Sequence, residues 1–179
     1  MKKLITLSFF AFIAAGFFAI SSCNSDPLVV TYSIPDQTVA LAADAGTQHY
    51  QTFTFDVHHS DVTAALTAAG ITDLGRVTKA GLKTGFKIGV VTTGTNLDQI
   101  GNVEVYMKQM GTGGTGDQVA YSDAIGAGAS EVMLLINGID VKLAVSSDVT
   151  FTVKVLNKTA LTAQSLKLSS GAIDVTVRK

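Results

Sequence analysis

A chain of 179 residues with 47% apolar and only 15% charged side chains has the material for a packed core, which excludes a disordered chain. Its 13 basic and 14 acidic side chains give a formal charge of −1, with no basic concentration of the kind that binds DNA, RNA or anionic lipid. Twelve of the 14 acids are Asp, and Thr, Val and Ile are frequent, a bias toward strands joined by turns.

Met1-Lys2-Lys3 is a short positive start. Residues 4–20 follow as 17 uncharged, mostly apolar positions, and then comes Ser21-Ser22-Cys23. This order of charge, apolar run and small residues predicts a secretory signal peptide over residues 1–22, cut between Ser22 and Cys23. The competing reading is a transmembrane anchor, but the run falls short of the roughly 20 residues a span requires. Ile20-Ser21-Ser22-Cys23 resembles the lipobox of bacterial lipoproteins: an aliphatic residue, two small ones and a cysteine. The resemblance implies a diacylglycerol on the Cys23 thiol, cleavage just before it, acylation of the new amine, and attachment to a membrane through that lipid. Cys23 is the only cysteine, so no disulfide competes for it. Several acyl chains give stable anchoring where one is marginal. Residue 24 is Asn, not Asp; in families that use Asp there for inner-membrane retention, this implies the outer membrane, with the side of the membrane left open. Residues 23–28, including Asn24-Ser25-Asp26-Pro27, are expected to form a lipidated tether, and residues 29–179 one domain. Removing Lys2 and Lys3 leaves 11 basic against 14 acidic side chains, a formal charge of −3.

Beyond the tether the prevailing period is two. Residues 52–57, 103–108, 149–155 and 173–178 alternate apolar and polar positions, as in strands with one dry and one wet face. Residues 86–91 and 132–136 are more continuously apolar, as expected of central strands. Further strands are predicted at 28–34, 37–42, 118–122, 141–144 and 166–168. Asn137-Gly138 is placed to close a hairpin between 132–136 and 139–143. One helix is predicted: Ser60 as N-cap, Asp61 in the first turn, residues 62–69 as its body and Gly70 as its stop. The stretch 71–85 reads equally as a loop followed by a strand. Many short strands at this spacing predict an all-β antiparallel sandwich, immunoglobulin-like or jelly-roll-like, with one short helix. The series Val103-Glu104-Val105-Tyr106, Ala120-Tyr121-Ser122-Asp123 and Ile173-Asp174-Val175-Thr176-Val177-Arg178 resembles small β-sandwich lipoproteins of the Bacteroidota. That resemblance covers about half the chain and implies a sandwich, with nothing about activity.

The motifs with chemical associations each meet a structural objection. Gly111-Thr112-Gly113-Gly114-Thr115-Gly116 matches G-x-G-x-x-G, with Glu131 about 20 residues on, but no helix follows to hold a pyrophosphate, so a flexible inter-strand loop is expected. Asp56-Val57-His58-His59-Ser60-Asp61 holds the residue types of a triad or a metal site. Adjacent histidines on a strand face opposite ways, and triads are assembled from distant segments, so surface histidines beside a helix cap are expected. Asp117, Asp123, Asp140 and Asp148 fit turns without a calcium loop pattern. Asn157-Lys158-Thr159 fits a glycosylation sequon and is read as a turn. No catalytic residue, metal site or cofactor is assigned, and no enzymatic activity is expected. The leading expectation is a structural or interaction domain at the cell envelope, with an envelope protein as partner and no nucleic acid. The alternative is a surface glycan- or peptide-binding module in which Tyr106, on the polar face of its strand, is the candidate ligand contact together with the 111–116 loop; the absence of Trp weakens it.

Overall fold

The computed structural model describes residues 26–179, so the signal segment, Cys23 and the first half of the tether lie outside the described residues. Among the described residues no helix is long and apolar enough to cross a membrane. The chain is an all-β antiparallel sandwich. Its strands are β1 (Leu28–Ser33), β2 (Gln37–Leu41), β3 (His49–Val57), β4 (Val77–Leu82), β5 (Lys87–Val90) and β6 (Ile100–Gln109). They continue with β7 (Asp117–Ser122), β8 (Glu131–Met133), β9 (Leu135–Ile136), β10 (Val149–Asn157), β11 (Gln164–Ser169) and β12 (Ala172–Val177). Among the described residues two α-helices interrupt them, α1 (His59–Ala68) and the single turn α2 (Leu143–Ser146), with a 3-10 turn at Leu74–Arg76.

One layer is a five-stranded sheet in the order β3-β10-β6-β7-β9. Alternation on its central strands turns Phe151, Val153, Val155, Val103 and Val105 inward, all essentially without solvent contact. Phe55 and Phe151, directly opposite on β3 and β10, stack with ring centroids 5.1 Å apart. Fixing this register by one dry face makes a one-residue slip prohibitive, since every apolar side chain would then face water.

The other layer is a bent sheet. Its halves are β1-β12-β4 and β2-β11-β5-β8. Each long strand is kinked at the same level: β1 to β2 at residues 34–36, β4 to β5 at 83–86, and β11 to β12 at Ser170-Gly171. Backbone bonds from Ile34 N–H to the Gly171 carbonyl and from Lys83 N–H to the Ala172 carbonyl, both 2.8 Å, carry the ladder through the bend. Ser170, at φ 58°, turns the middle strand there. β8 and β9 are likewise one strand that changes layer. It pairs with β5 on one side and β7 on the other, and Leu134 is buried at the crossing with its N–H on the Phe86 carbonyl at 2.8 Å.

With each broken strand taken as one, the order in the bent layer is first, eighth, third, sixth, and in the flat layer second, seventh, fourth, fifth. Those are the two interleaved Greek keys of a jelly roll, which decides between the two sandwich types the sequence left open.

Several local expectations change. Residues 132–136 are not a central strand: Met133 and Leu135 are 56% and 49% exposed, because this segment closes the sandwich at its edge. Asn137-Gly138 does not close a hairpin, and 141–144 is not a strand. After Gly138 the chain crosses to the free edge of β4, where the Val141 N–H bonds the Ala80 carbonyl at 2.9 Å but the Asp140 side chain takes the Ala80 N–H at 3.1 Å, so no ladder forms and Val141, Ala144 and Val145 are buried through an irregular segment and α2 instead. The predicted helix is α1, with Val62 and Leu66 fully buried one turn apart over the end of the sandwich, against α2 and β1. Gly70 ends it at φ 81°. Ser60 is not its cap. β3 runs into the helix without a linker, so His58 takes the cap position and Ser60 falls within the first turn.

Candidate functional site

The outer face of the five-stranded sheet carries a group of half-buried polar and aromatic side chains. Strand alternation sends Glu104 and Tyr106 of β6 and Lys154 and Leu156 of β10 to this side. β7 reaches it differently. Its register against β6 shifts between Val105 and Tyr106, so that Val105 faces Ala120 while Tyr106 faces Gln118. Val119 is the extra residue of a β-bulge. Val119 and Ala120 both turn inward and are buried, and Gln118 and Tyr121, three positions apart, both turn outward. Tyr121 then stands opposite Glu104 on β6 and Leu135 on β9.

Tyr106 lies half-buried within this face. Its hydroxyl donates to Glu104 Oε2 at 2.9 Å, and Lys154 Nζ sits 4.8 Å above its ring, a cation–π contact. Burial, with the Glu104 carboxylate adding to it, pushes the Tyr106 phenol above its ordinary value. Gln118 is held in turn, its side-chain oxygen accepting from Asn137 Nδ2 at 3.1 Å. Beside this network lies an open recess of about 460 Å³, lined chiefly by Asn102, Glu104, Gln118, Tyr121, Asp123 and Leu156. That volume falls within the roughly 300–1,000 Å³ of small-ligand clefts. Asn102 Oδ1 is buried at its margin without a hydrogen-bond partner, one of two such side-chain atoms among the described residues. Tyr106 itself does not line the recess; it fixes Glu104, which does.

The 111–116 loop joins β6 to β7 and opens no helix. Lys108 Nζ donates to the carbonyls of Thr112 (2.8 Å) and Gly114 (3.0 Å), and the Thr112 hydroxyl donates to the Gln109 carbonyl (2.7 Å). The loop is therefore folded onto its own strand rather than left free, and it stands apart from the recess, whose β6 contribution is residues 101–104.

A second cluster forms where α1 begins. Asp148, just before β10, accepts the His59 backbone N–H at 2.9 Å and so caps the helix from about 90 residues away. Its two oxygens also meet His59 Nδ1 at 2.7 Å and His58 Nδ1 at 3.1 Å. The His59 bonds, followed by the His58 bond, drive the Asp148 carboxyl well below the usual carboxylate range. The bond and charge of Asp148 raise the His58 imidazole above its ordinary value. Among the described residues no three His, Cys, Asp or Glu side chains converge as metal ligands. Asp140, another loop acid, accepts the Ala80 and Lys142 backbone N–H groups and serves the chain crossing.

Asn157 is 1% exposed. Its side chain bonds the His49 N–H and the Gly46 carbonyl, which ties the segment before β3 to the end of β10. As placed, its amide nitrogen is occupied and out of reach of a glycosylating enzyme. Cys23 and the cleavage bond after Ser22 fall outside the described residues. Of the recess residues, sequence reading took Asp123 as a turn residue and placed Glu104, Gln118 and Tyr121 on strands, but assigned none of these, nor Asn102, as a ligand contact. The pairing of Glu104 with Tyr121 was accessible from a β6–β7 hairpin; the bulge that turns Gln118 to the same side was not. No family model and no curated protein matches the chain.

Proposed function

We propose that this chain is a non-catalytic interaction module of the bacterial cell envelope, tethered to the outer membrane by lipid on Cys23. It binds its partner through the outer face of the five-stranded sheet. The observation that supports this reading is the recess beside Glu104 and Tyr121. It is an open, polar depression on a sheet whose other face is committed to the core, flanked by exposed Tyr50 and Leu135. Large apolar side chains beside polar groups on a rigid strand framework are what a recognition surface requires, and little conformational entropy is lost on binding there.

Two measurements test it. Mass spectrometry of the mature N-terminus is expected to find an acylated Cys23; an unmodified thiol refutes the anchor. Sedimentation with isolated envelopes is expected to carry down the Cys23→Ala chain through its binding face. A Gln118→Ala/Tyr121→Ala double variant should lose that co-sedimentation. Equal co-sedimentation of both proteins removes the proposed face.

A further inference from the structure

We infer that the recess on the five-stranded sheet is a binding site for a neutral glycan. The inference rests on the interaction-module reading and adds the chemical class of the ligand.

The lining decides the class. Asn102, Glu104, Gln118 and Asp123 bring two amides and two carboxylates to one depression, a mixed set of donors and acceptors in planar pairs. A sugar hydroxyl is both donor and acceptor, so neighbouring hydroxyls can answer such a set. An ammonium or guanidinium ligand only donates and leaves the amide N–H groups unanswered. An anionic ligand meets two carboxylates with no Lys or Arg in the lining. On this face Lys154 is engaged over the Tyr106 ring, and Lys158 stands beside Gly101 at the margin without lining the recess. Tyr121, half-buried on the wall, offers the apolar body and polar tip that suit a sugar ring, and Leu156 supplies a second apolar surface.

Asn102 Oδ1 is the independent sign. A buried carbonyl oxygen without a partner is disfavoured and rare in folded proteins. A hydroxyl entering the recess, with rotation of the Asn102 amide toward it, supplies the missing donor. Two of the other polar groups are already held in place: Glu104 by the Tyr106 hydroxyl and Gln118 by Asn137. Such a site binds without first ordering its side chains. Tyr106 is therefore a positioning residue, acting through Glu104.

The test is titration calorimetry on the full mature chain in detergent, with malto-, cello-, xylo- and mannohexaose as neutral probes. Hexalysine is the cationic probe and polygalacturonate the anionic one. At least one neutral hexasaccharide is expected to bind, with affinity reduced tenfold or more in both Asn102→Ala and Tyr121→Ala. Asn102→Ala should lose affinity while its unfolding midpoint stays at or above that of the parent, since it removes an unpartnered buried atom. Tyr106→Phe should weaken binding with less effect than Tyr121→Ala. Should Tyr121→Ala fail to fold, Gln118→Ala reports in its place. Binding of no neutral probe, preference for hexalysine or polygalacturonate, or affinity unmoved by these variants overturns the inference. If envelope co-sedimentation persists while no glycan binds, the glycan assignment fails and the interaction module stands; if both fail, so does the binding face itself.

Discussion

Replacing Asn157 tests whether the end of the β3–β10 ladder depends on one buried amide. Asn157 Oδ1 accepts the His49 N–H at 2.9 Å, and Nδ2 donates to the Gly46 carbonyl at 2.7 Å; a third contact, to the Thr159 carbonyl at 3.4 Å, is too long to add much. Each well-formed bond contributes roughly 0.5–1.5 kcal/mol net, so Asn157→Ala is expected to cost about 2 kcal/mol. In a domain of this size that lowers the melting temperature by about 4–8 °C. Urea unfolding should show a lower midpoint with an unchanged slope. Asn157→Asp keeps an acceptor for His49 but turns a charged oxygen toward the Gly46 carbonyl. A carboxyl buried there has its folded-state pKa raised above the unfolded value near ~4, so the deficit grows as pH rises past that value and shrinks below it. Thr159→Ala deletes the sequon while keeping every bond of Asn157, since only the Thr159 backbone is used, and is expected to lie within about 0.5 kcal/mol of the parent. An Asn157→Ala chain as stable as the parent, or Thr159→Ala as costly as Asn157→Ala, refutes this account.

Two further perturbations address the remaining features. His58 has a raised folded-state pKa, so its contribution is fully present below the unfolded value near ~6.5 and disappears as pH rises through the folded one. Asp148 has a lowered pKa, and its contribution is present above ~4 and lost as pH falls through the folded value. Thermal melts should therefore show a stability plateau between about 4 and 6.5, and Asp148→Asn should flatten both flanks; a parent profile without a decline above pH 6.5 contradicts the His58 assignment. Gly116, at φ 84°, has no room for a Cβ, which would meet the Met107 carbonyl oxygen at 2.2 Å. Gly116→Ala is expected to cost about 2 kcal/mol or more in denaturant unfolding. Gly113→Ala, with open space around it, should be close to neutral, and equal costs at the two positions would show that the loop is not held as described.

Sequence alone determined what depends on neighbours along the chain. Period-two alternation placed the faces of β3, β6, β10 and β12, because a strand's side chains must alternate wherever one face is dry. Turn and stop residues placed α1 and ended it at Gly70. Tertiary structure decided what depends on partners far along the chain. The jelly-roll order needed the pairing of β1 with β12 and β3 with β10, which no local pattern encodes. Asp148, not Ser60, caps α1, since a cap requires only a carboxylate in the right place and the fold brings one from about 90 residues away. The strand at 139–143 does not form because, at the free edge of β4, the Asp140 side chain rather than a backbone carbonyl takes the Ala80 N–H. The recess follows the same rule. Strict alternation would set Gln118 and Tyr121 on opposite faces, and a one-residue bulge, fixed by how β7 pairs with β6, turns both outward beside Glu104.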